Sequence, residues 1–315
     1  MSRLFRDVDG GALFPQGSVV CIGAFDGLHL GHRALVRRAV SRARALGLPA
    51  VALSFERLPR EFFSRAEPPP RLTLVRGKYK GLCELGVDSV GLLRFNSRLA
   101  SMQAEEFVRQ VLVRRLSARE VWIGPEFRFG NRRAGDLQLL QQLGEVHGFA
   151  AGEIEPVHSG GQRVSSTRIR EALRAGDFGA AAQLLGHPYS IEARVVRGKQ
   201  LGRTLGFPTA NLRFPRTPAL SGIYATWVHG VGDQRRASVS SFGTRPTVNG
   251  VEPLLEAHLF DFDGDLYGQH IEVEFVSKLR DEVKYDSLEA LTEQMQRDAA
   301  DARRILSEQP SRAIA

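Results

Sequence analysis

The 315-residue sequence predicts two folded parts of different class. The first is α/β, a doubly wound parallel sheet covered by helices on both faces; the second is an antiparallel β barrel or sandwich closed by a terminal helix. From residue 17 to about 155, short apolar runs alternate with stretches of helical period. The runs are apolar throughout, as strands buried on both faces require. After Leu185-Gly186-His187-Pro188 the pattern changes to extended stretches divided by turn signals such as Asn249-Gly250 and Asp263-Gly264. The chain has the length of about two domains, and the boundary is placed to give residues 1–185 and 186–315.

In order along the first part, the pattern predicts a strand at 19–22, a helix at 33–45 and a strand at 50–55. A helix at 72–85, a strand at 89–93 and a helix at 104–116 follow, then a strand at 121–123, a helix at 136–144 and a strand at 150–154. Pro68-Pro69-Pro70 marks a stiff loop. In the second part, extended segments are expected at 190–196, 222–229, 237–242, 254–260 and 271–275. A last helix spans 287–306, with Asp286 or Ser287 as N-cap and Leu288, Leu291, Met295 and Ile305 as its apolar stripe.

Composition narrows the function classes. Two cysteines are too few for a disulfide framework, and no apolar stretch approaches membrane-spanning length, so the expectation is a cytoplasmic protein that engages no membrane. Lys and Arg number 43 against 35 Asp and Glu, a net charge of +8. The arginines come as scattered pairs with acidic residues between them and no basic tail. They read as solvated helix faces, some of them available to anionic nucleotides, and no nucleic-acid partner is expected.

The densest chemistry of the first part follows the apolar run 19–22, where the chain reads Gly-Ala-Phe-Asp-Gly-Leu-His-Leu-Gly-His over residues 23–32. Glycines let backbone approach a ligand closely, and the first turn of a helix offers unpaired N–H groups at a positive dipole end. His29 and His32, at i and i+3, share one face of that turn. A helix-surface pair, or half a metal site lacking its third and fourth ligands, is the plainer alternative. The pattern resembles the HxGH signature of nucleotidylyltransferases, which implies nucleotidyl transfer and not hydrolysis. Farther on, residues 163–170 read Arg-Val-Ser-Ser-Thr-Arg-Ile-Arg at a helix start, joining capping hydroxyls to guanidinium groups suited to phosphate oxygens.

In the second part, residues 198–212 read Gly-Lys-Gln-Leu-Gly-Arg-Thr-Leu-Gly-Phe-Pro-Thr-Ala-Asn-Leu, a phosphate-covering loop without the Walker spacing. Thr209 and Asn211, two apart in an extended segment, point the same way, and two neutral oxygens suit Mg²⁺. Glu256 interrupts the apolar run 254–260 and is expected to point into what the barrel encloses, as general base for a hydroxyl.

Together and in this order these motifs resemble the bacterial bifunctional riboflavin kinase/FMN adenylyltransferase family, over nearly all of residues 15–306. GPEFRFG at 124–130, GIY at 222–224, SFGTRPT at 241–247, EAHLFDFDGDLYG at 256–268 and KLRDEVKYDSL at 278–288 add to the likeness. The resemblance implies a nucleotidylyltransferase domain followed by a β-barrel kinase domain. The barrel would phosphorylate riboflavin with ATP to FMN, and the first domain would adenylylate FMN to FAD with release of pyrophosphate; ATP is co-substrate, Mg²⁺ the cofactor, and FMN and FAD the products. In the adenylyltransferase, Gly23, Phe25, Asp26, His29, His32, Arg163, Ser166, Thr167 and Arg170 would serve ATP, and Phe62 and Phe129 the flavin. In the kinase, Gly198, Lys199, Gly202, Arg203, Thr209 and Asn211 would serve ATP, with Thr209 and Asn211 holding the metal. Glu256 and Arg280 would serve the flavin, Glu256 as base. Oligomeric state is left open, self-association included. Two departures from the family pattern stand out: Arg57-Leu58 in place of a Pro-His pair, and Glu126 where Asp or Asn is usual. They raise the competing reading of a kinase with a repurposed nucleotidyltransferase domain. A flavin-sensing, nucleic-acid-binding regulator would have no need of a base such as Glu256.

Overall fold

The computed structural model describes residues 3–64, 67–198, 202, 205–214, 219–247 and 250–309. Two compact units divide the chain, one of residues 1–69 with 77–165 and one of residues 70–76 with 166–315. The division falls ahead of the 185/186 boundary read from the sequence.

The first unit is built on strands β1 (Arg3–Phe5), β2 (Ser18–Ile22), β3 (Ala50–Phe55), β4 (Ser89–Leu93), β5 (Ala118–Ile123) and β6 (Ala150–Glu153). They form one parallel sheet in the order β1-β4-β3-β2-β5-β6. Every residue of β2 and of β4 is buried, which is why these runs carry no polar alternation. Helix α1 (Leu30–Leu46) connects β2 to β3 and ends on Gly47 in the left-handed conformation, φ 65°. It starts earlier than its apolar periodicity suggests, because His29 caps it.

After β3 come α2 (Pro59–Phe63) and α3 (Val75–Glu84), and after β4 come α4 (Ser97–Ser101) and α5 (Ala104–Phe107). The chain continues from α5 into wider π-type turns over Val108–Arg115, so the single helix expected at 104–116 changes winding midway. Helix α6 (Leu137–His147), capped by Asp136, precedes β6, and a small hairpin of β7 (His158–Ser159) and β8 (Gln162–Arg163) closes the unit. Val20, Ile22, Val51, Leu53, Val108, Leu112, Val121 and Ile123 form the heart of its core.

The second unit opens with α7 (Ser166–Arg174) and α8 (Phe178–Leu185) and continues in β9 (Ser190–Val196), β10 (Ala210–Arg213), β11 (Gly222–His229), β12 (Arg236–Thr247), β13 (Gly250–Leu259) and β14 (His270–Arg280). These strands close an antiparallel barrel in the order β10-β13-β12-β11-β14-β9, which decides between barrel and sandwich. Alternate residues fill it: Ile191, Ala193 and Val195; Tyr224, Thr226 and Val228; Leu255, Ala257 and Leu259; Ile271, Val273 and Phe275 are all buried. The hydroxyls of Thr226, Ser238 and Ser240 satisfy one another there, at 2.7 Å and 3.1 Å from Thr226. Phe275 is ringed by Phe178, Tyr189, Tyr224 and Phe242.

Helix α9 (Leu288–Ser307), capped by Ser287, lies on the barrel's outer face, with Ala299, Ala302, Ile305 and Leu306 against Ala225, Trp227, Val239 and Phe260. Leu288, expected on the apolar stripe, is 55% exposed; in the first turn it stands clear of the wall that the later turns cover.

Phe242 has no exposed surface. Replacing it with Ala is expected to cost about 3–5 kcal/mol of the second unit's stability, from lost burial plus the cavity left behind. Urea denaturation of the full chain followed by tryptophan fluorescence measures this; a loss below about 1 kcal/mol would mean that the barrel collapses around the gap.

Candidate functional sites

In the first unit, Ile22 pairs with Leu53 on one side and Ile123 on the other, so β2 ends where strand order reverses, the usual ligand crevice of an open parallel sheet. The Gly23 N–H donates to the Leu53 carbonyl at 3.1 Å, and the backbone then turns through left-handed Phe25 (φ 48°), Gly27 (φ 90°) and Leu28 (φ 44°). A Cβ on Gly23 would lie 2.9 Å from the Phe25 ring, so this close approach needs glycine. His29 is 7% exposed, and its Nδ1 accepts the His32 N–H at 3.3 Å, capping α1. The two imidazoles are stacked with centroids 3.7 Å apart, and Phe25 meets His32 edge-on. The sequence expectation that both histidines share one face of the first turn therefore holds in the geometry.

Nδ1 of His32 is buried with no hydrogen-bond partner. Burial first, then the charges of His29, Lys78 and Arg60, hold this imidazole well below its ordinary pKa, so it is neutral at pH 7. Asp26 is buried, and Arg60 donates to its carboxylate.

Around this centre several residues assigned from the sequence are engaged with other protein groups. Phe129, expected to line a flavin site, is a core residue 5.8 Å from the Phe107 ring, drawn inward where residues 129 and 135 bridge. Phe62 is half-buried and joins Phe63 and Phe95 in an edge-to-face cluster that sequence reasoning missed. The Arg57 guanidinium lies 5.5 Å from the Phe62 ring centroid. Arg163 pairs with Glu126 at 3.1 Å, so one unusual residue neutralises a cation assigned to ATP.

Ser166 opens α7 in the second unit, and Thr167 beside it is exposed. Arg170 is buried, donating to the carbonyls of Pro70 at 2.6 Å and Ser166 at 2.9 Å. Its guanidinium serves backbone where the sequence suggested phosphate; an arginine on the buried side of an amphipathic helix needs such acceptors.

The second site lies on the barrel wall. Asn211 pairs with Glu256 across β10 and β13, and Thr209, two residues before Asn211, shares their face. Thr209 Oγ1 donates to Glu256 Oε1 at 3.5 Å, a long contact. Asn211 is 5% exposed; its Nδ2 donates to the Thr209 carbonyl at 3.1 Å, while its Oδ1 is buried and unpartnered. A Cβ on Gly198 would stand 2.5 Å from that oxygen, and a Cβ on Gly202 would collide with the Phe207 carbonyl, so both glycines are required by packing. Lys199 and Arg203, assigned to ATP from the sequence, lie outside the described residues.

Glu256 does not point into the barrel, contrary to the sequence expectation. Leu255 and Ala257 occupy the interior, so period-2 alternation turns Glu256 outward. There it meets a cavity of ≈ 260 Å³ lined by Thr209, His258, Arg280, Glu282 and Tyr285, with Leu291, Met295 and Asp298 of α9 among its walls. His258, whose Nδ1 is 2.8 Å from the Pro208 carbonyl, is a lining residue missed from the sequence; its place two residues after Glu256 was the available signal. Arg280, assigned to flavin, forms a forked pair with Asp298 at 2.7–3.1 Å and donates to the Asp281 carbonyl. The hydrogen bond to Asp298 raises its pKa. Arg280 thus ties α9 to β14 as it lines the cavity.

Among the described residues no group of three or more His, Cys, Asp or Glu is placed to hold a metal ion. A hydroxyl and an amide oxygen are the donors on offer, a hard-oxygen set that suits Mg²⁺ completed by phosphates and water.

A buried-sheet unit with a stacked histidine pair at its switch point, followed by a barrel with Thr, Asn and Glu on one wall, defines a two-site nucleotide-dependent transferase. A family model described as FAD synthetase matches residues 12–168, and one described as riboflavin kinase matches residues 185–306. The bifunctional riboflavin kinase/FMN adenylyltransferase of Escherichia coli K12 is 42% identical over 96% of this chain and 97% of its own. That of Haemophilus influenzae is 40% identical over 96% and 98%, and that of Pseudomonas fluorescens 44% over 91% and 93%. A solved structure described as a macrolide-efflux protein from Streptococcus pneumoniae superposes with a TM-score of 0.78 at 30% identity, over 96% of this chain and 98% of that one. The chain belongs to the bifunctional riboflavin kinase/FMN adenylyltransferase family.

The depressed pKa of His32 has a consequence for stability. Below the unfolded value near 6.5, the unfolded chain binds a proton that folded His32 refuses, so its stabilising contribution is full above that pH and is lost as pH falls. The first unit's urea midpoint is expected to fall between pH 7.5 and pH 5.5, and to fall less in His32→Gln. Equal losses in the two proteins would show that His32 protonates freely in the folded state.

Proposed function

We propose that this chain makes FAD from riboflavin in two ATP-dependent steps, the barrel unit phosphorylating riboflavin to FMN and the parallel-sheet unit adenylylating FMN. The observation that carries the reading is the buried, unpartnered Oδ1 of Asn211 on the same wall as Thr209 and Glu256, in a chain that also stacks His29 on His32. A buried oxygen without a donor is costly in an isolated protein, and a cation bound there would satisfy it.

In the kinase step Glu256 accepts the proton of the attacking ribityl hydroxyl. Its oxygen bonds the γ-phosphorus, and ADP leaves with the β–γ bridging oxygen. Thr209 Oγ1 and Asn211 Oδ1 would hold Mg²⁺, whose chemistry there is to neutralise charge on the ATP phosphates. The glycines at 198 and 202 let backbone come close to those phosphates, and the charges of Lys199 and Arg203 suit them. The cavity between the barrel wall and α9 takes the flavin, with Arg280 setting the position of α9.

In the second step a phosphate oxygen of FMN attacks the α-phosphorus of ATP, and pyrophosphate leaves. His29, His32 and the first-turn N–H groups of α1 donate to phosphate oxygens whose charge grows on the way. Gly23 and Phe25 shape the loop for close approach, Asp26 acts through Arg60, and Phe62 with Phe63 and Phe95 forms an aromatic wall for the flavin. Arg163 supports ATP binding in this unit; Ser166, Thr167 and Arg170 belong to the second unit, where Arg170 holds backbone.

No helix among the described residues is long and apolar enough to cross a membrane. The reading places the enzyme in the cytoplasm with riboflavin, FMN and ATP as its partners, no nucleic acid among them, and allows self-association.

Two substitutions in the full chain separate the steps. Glu256→Gln should lower riboflavin phosphorylation by roughly two orders of magnitude or more and leave adenylylation of supplied FMN within about twofold of the parent. His32→Ala should do the reverse, lowering adenylylation by roughly one to three orders of magnitude. Chromatography of products with each substrate measures both; loss of both activities in either variant would contradict the assignment.

A further inference from the structure

Lys78, on α3, is 3% exposed and takes no part in the chemistry above. Its ammonium donates to the Ala24 carbonyl at 2.7 Å, the Phe55 carbonyl at 3.1 Å and the Ser54 hydroxyl at 3.3 Å. Ser54 in turn donates to the same Ala24 carbonyl at 3.1 Å. A charged amine and a hydroxyl from two elements converge on one peptide oxygen. That oxygen precedes Phe25, the left-handed residue whose ring packs on His32. A buried lysine is disfavoured unless its hydrogens find acceptors, and these acceptors are the backbone of the histidine-bearing loop and the end of β3.

We propose that Lys78 is a positioning residue for FMN adenylylation, its buried ammonium clamping the Gly23–Leu28 loop to the end of β3 so that His29 and His32 meet ATP in one fixed arrangement. The proposal rests on the phosphate role given to the histidines above. Lys78 is too buried to reach a phosphate itself and acts through the loop it binds. The groups facing His32 are His29, which caps its helix, Phe25 in the loop, Arg60 on α2, itself paired with Asp26, and Lys78 on α3. Among them Lys78 and Arg60 both oppose a positive charge on the imidazole, so the same ammonium that fixes the loop also favours the neutral ring.

The test uses the full-length enzyme with Lys78→Met, which keeps the side chain's length and removes the charge and donors. Ser54→Ala is a milder probe of the same clamp, and His32→Ala a control. Lys78→Met should lower kcat for adenylylation of supplied FMN by roughly 10- to 100-fold, the scale of a small misplacement of a catalytic group. Riboflavin phosphorylation should stay within about twofold of the parent. The His32 Cε1–H resonance should titrate at higher pH than in the parent, and the acid limb of adenylylation should move up with it. Ser54→Ala should shift kcat in the same direction by a smaller factor.

Parental kcat and parental His32 titration in a folded Lys78→Met protein would overturn the proposal. So would an adenylylation loss that matches the loss of folded protein, with KM and pH profile unchanged, since that is scaffolding alone. If Lys78→Met does not fold, Ser54→Ala with parental kinetics overturns it. Parental turnover in His32→Ala would refute the histidine assignment and this proposal with it, whereas a slow His32→Ala beside a parental Lys78→Met refutes the role of Lys78 only.

Discussion

The ladder that sets Asn211 opposite Glu256 governs the second unit. A barrel of six strands has one interior, and here it is filled by Leu255, Ala257, Tyr224, Phe242 and Phe275, so only one parity of each strand is left for chemistry. A one-residue slip of β10 against β13 would bury these polar groups and expose the core, which makes the apolar filling the guardian of their geometry. Thr209, Asn211 and Glu256 face outward as a result, and a polar wall on the outside of a barrel stays open to water unless it is covered. Helix α9 supplies it, packed through Ala302 and Leu306 and fixed by the forked pair of Arg280 with Asp298. That pair has further partners: Gln294 also donates to Asp298, and Arg280 lies near the Tyr285 ring, so this charge between strand and helix is held by several contacts.

The first unit meets the converse constraint. Its central strands are buried on both faces and have no wall to offer, so polar chemistry can arise only at strand ends. The chain leaves β2 through left-handed Phe25 and Leu28, conformations that residues other than glycine hold only when their surroundings fix them. Lys78, Ser54 and the Asp26–Arg60 pair are those surroundings. The outcome is a helix N-terminus whose N–H donors stand beside an imidazole that burial keeps from taking up a proton. The barrel site is the opposite, a carboxylate beside neutral oxygens. A nucleophile that must lose a proton suits the second site, and a phosphate nucleophile that is already ionised suits the first.

Much of this was legible in the sequence because burial on both faces and burial on one leave different periods. The runs at 50–55 and 89–93 and those at 190–196 and 222–229 appear as strands with the bounds they show in the structure. The short strand Ala210–Arg213 is legible only as an extended segment around Thr209 and Asn211, without bounds, since its polar Asn211 breaks the apolar run that marks the others. Glu256 was identifiable as a misfit among apolar neighbours, yet which way it pointed was not, because a strand's alternation has no sign until a second sheet residue declares the interior. Arg170 and Phe129 show the same limit. Their residue types suit a phosphate and a flavin, but the structure gives one to backbone carbonyls and the other to the core, and only three-dimensional neighbours distinguish these uses. The pairing of His29 with His32 was legible because spacing along a helix is itself a spatial statement.

Two chemically different sites in one chain draw on different phosphorus atoms of ATP, and isotope labelling reads this directly. Riboflavin should be incubated with the full-length protein and Mg²⁺, once with ATP labelled at the γ-phosphorus and once at the α-phosphorus, and the FAD isolated and cleaved at its pyrophosphate bond. One γ-derived phosphorus is expected in the FMN half and one α-derived phosphorus in the AMP half, with intermediate FMN carrying γ label only. FAD lacking γ label in its FMN half, or FMN carrying α label, would contradict sequential phosphoryl and adenylyl transfer by this chain.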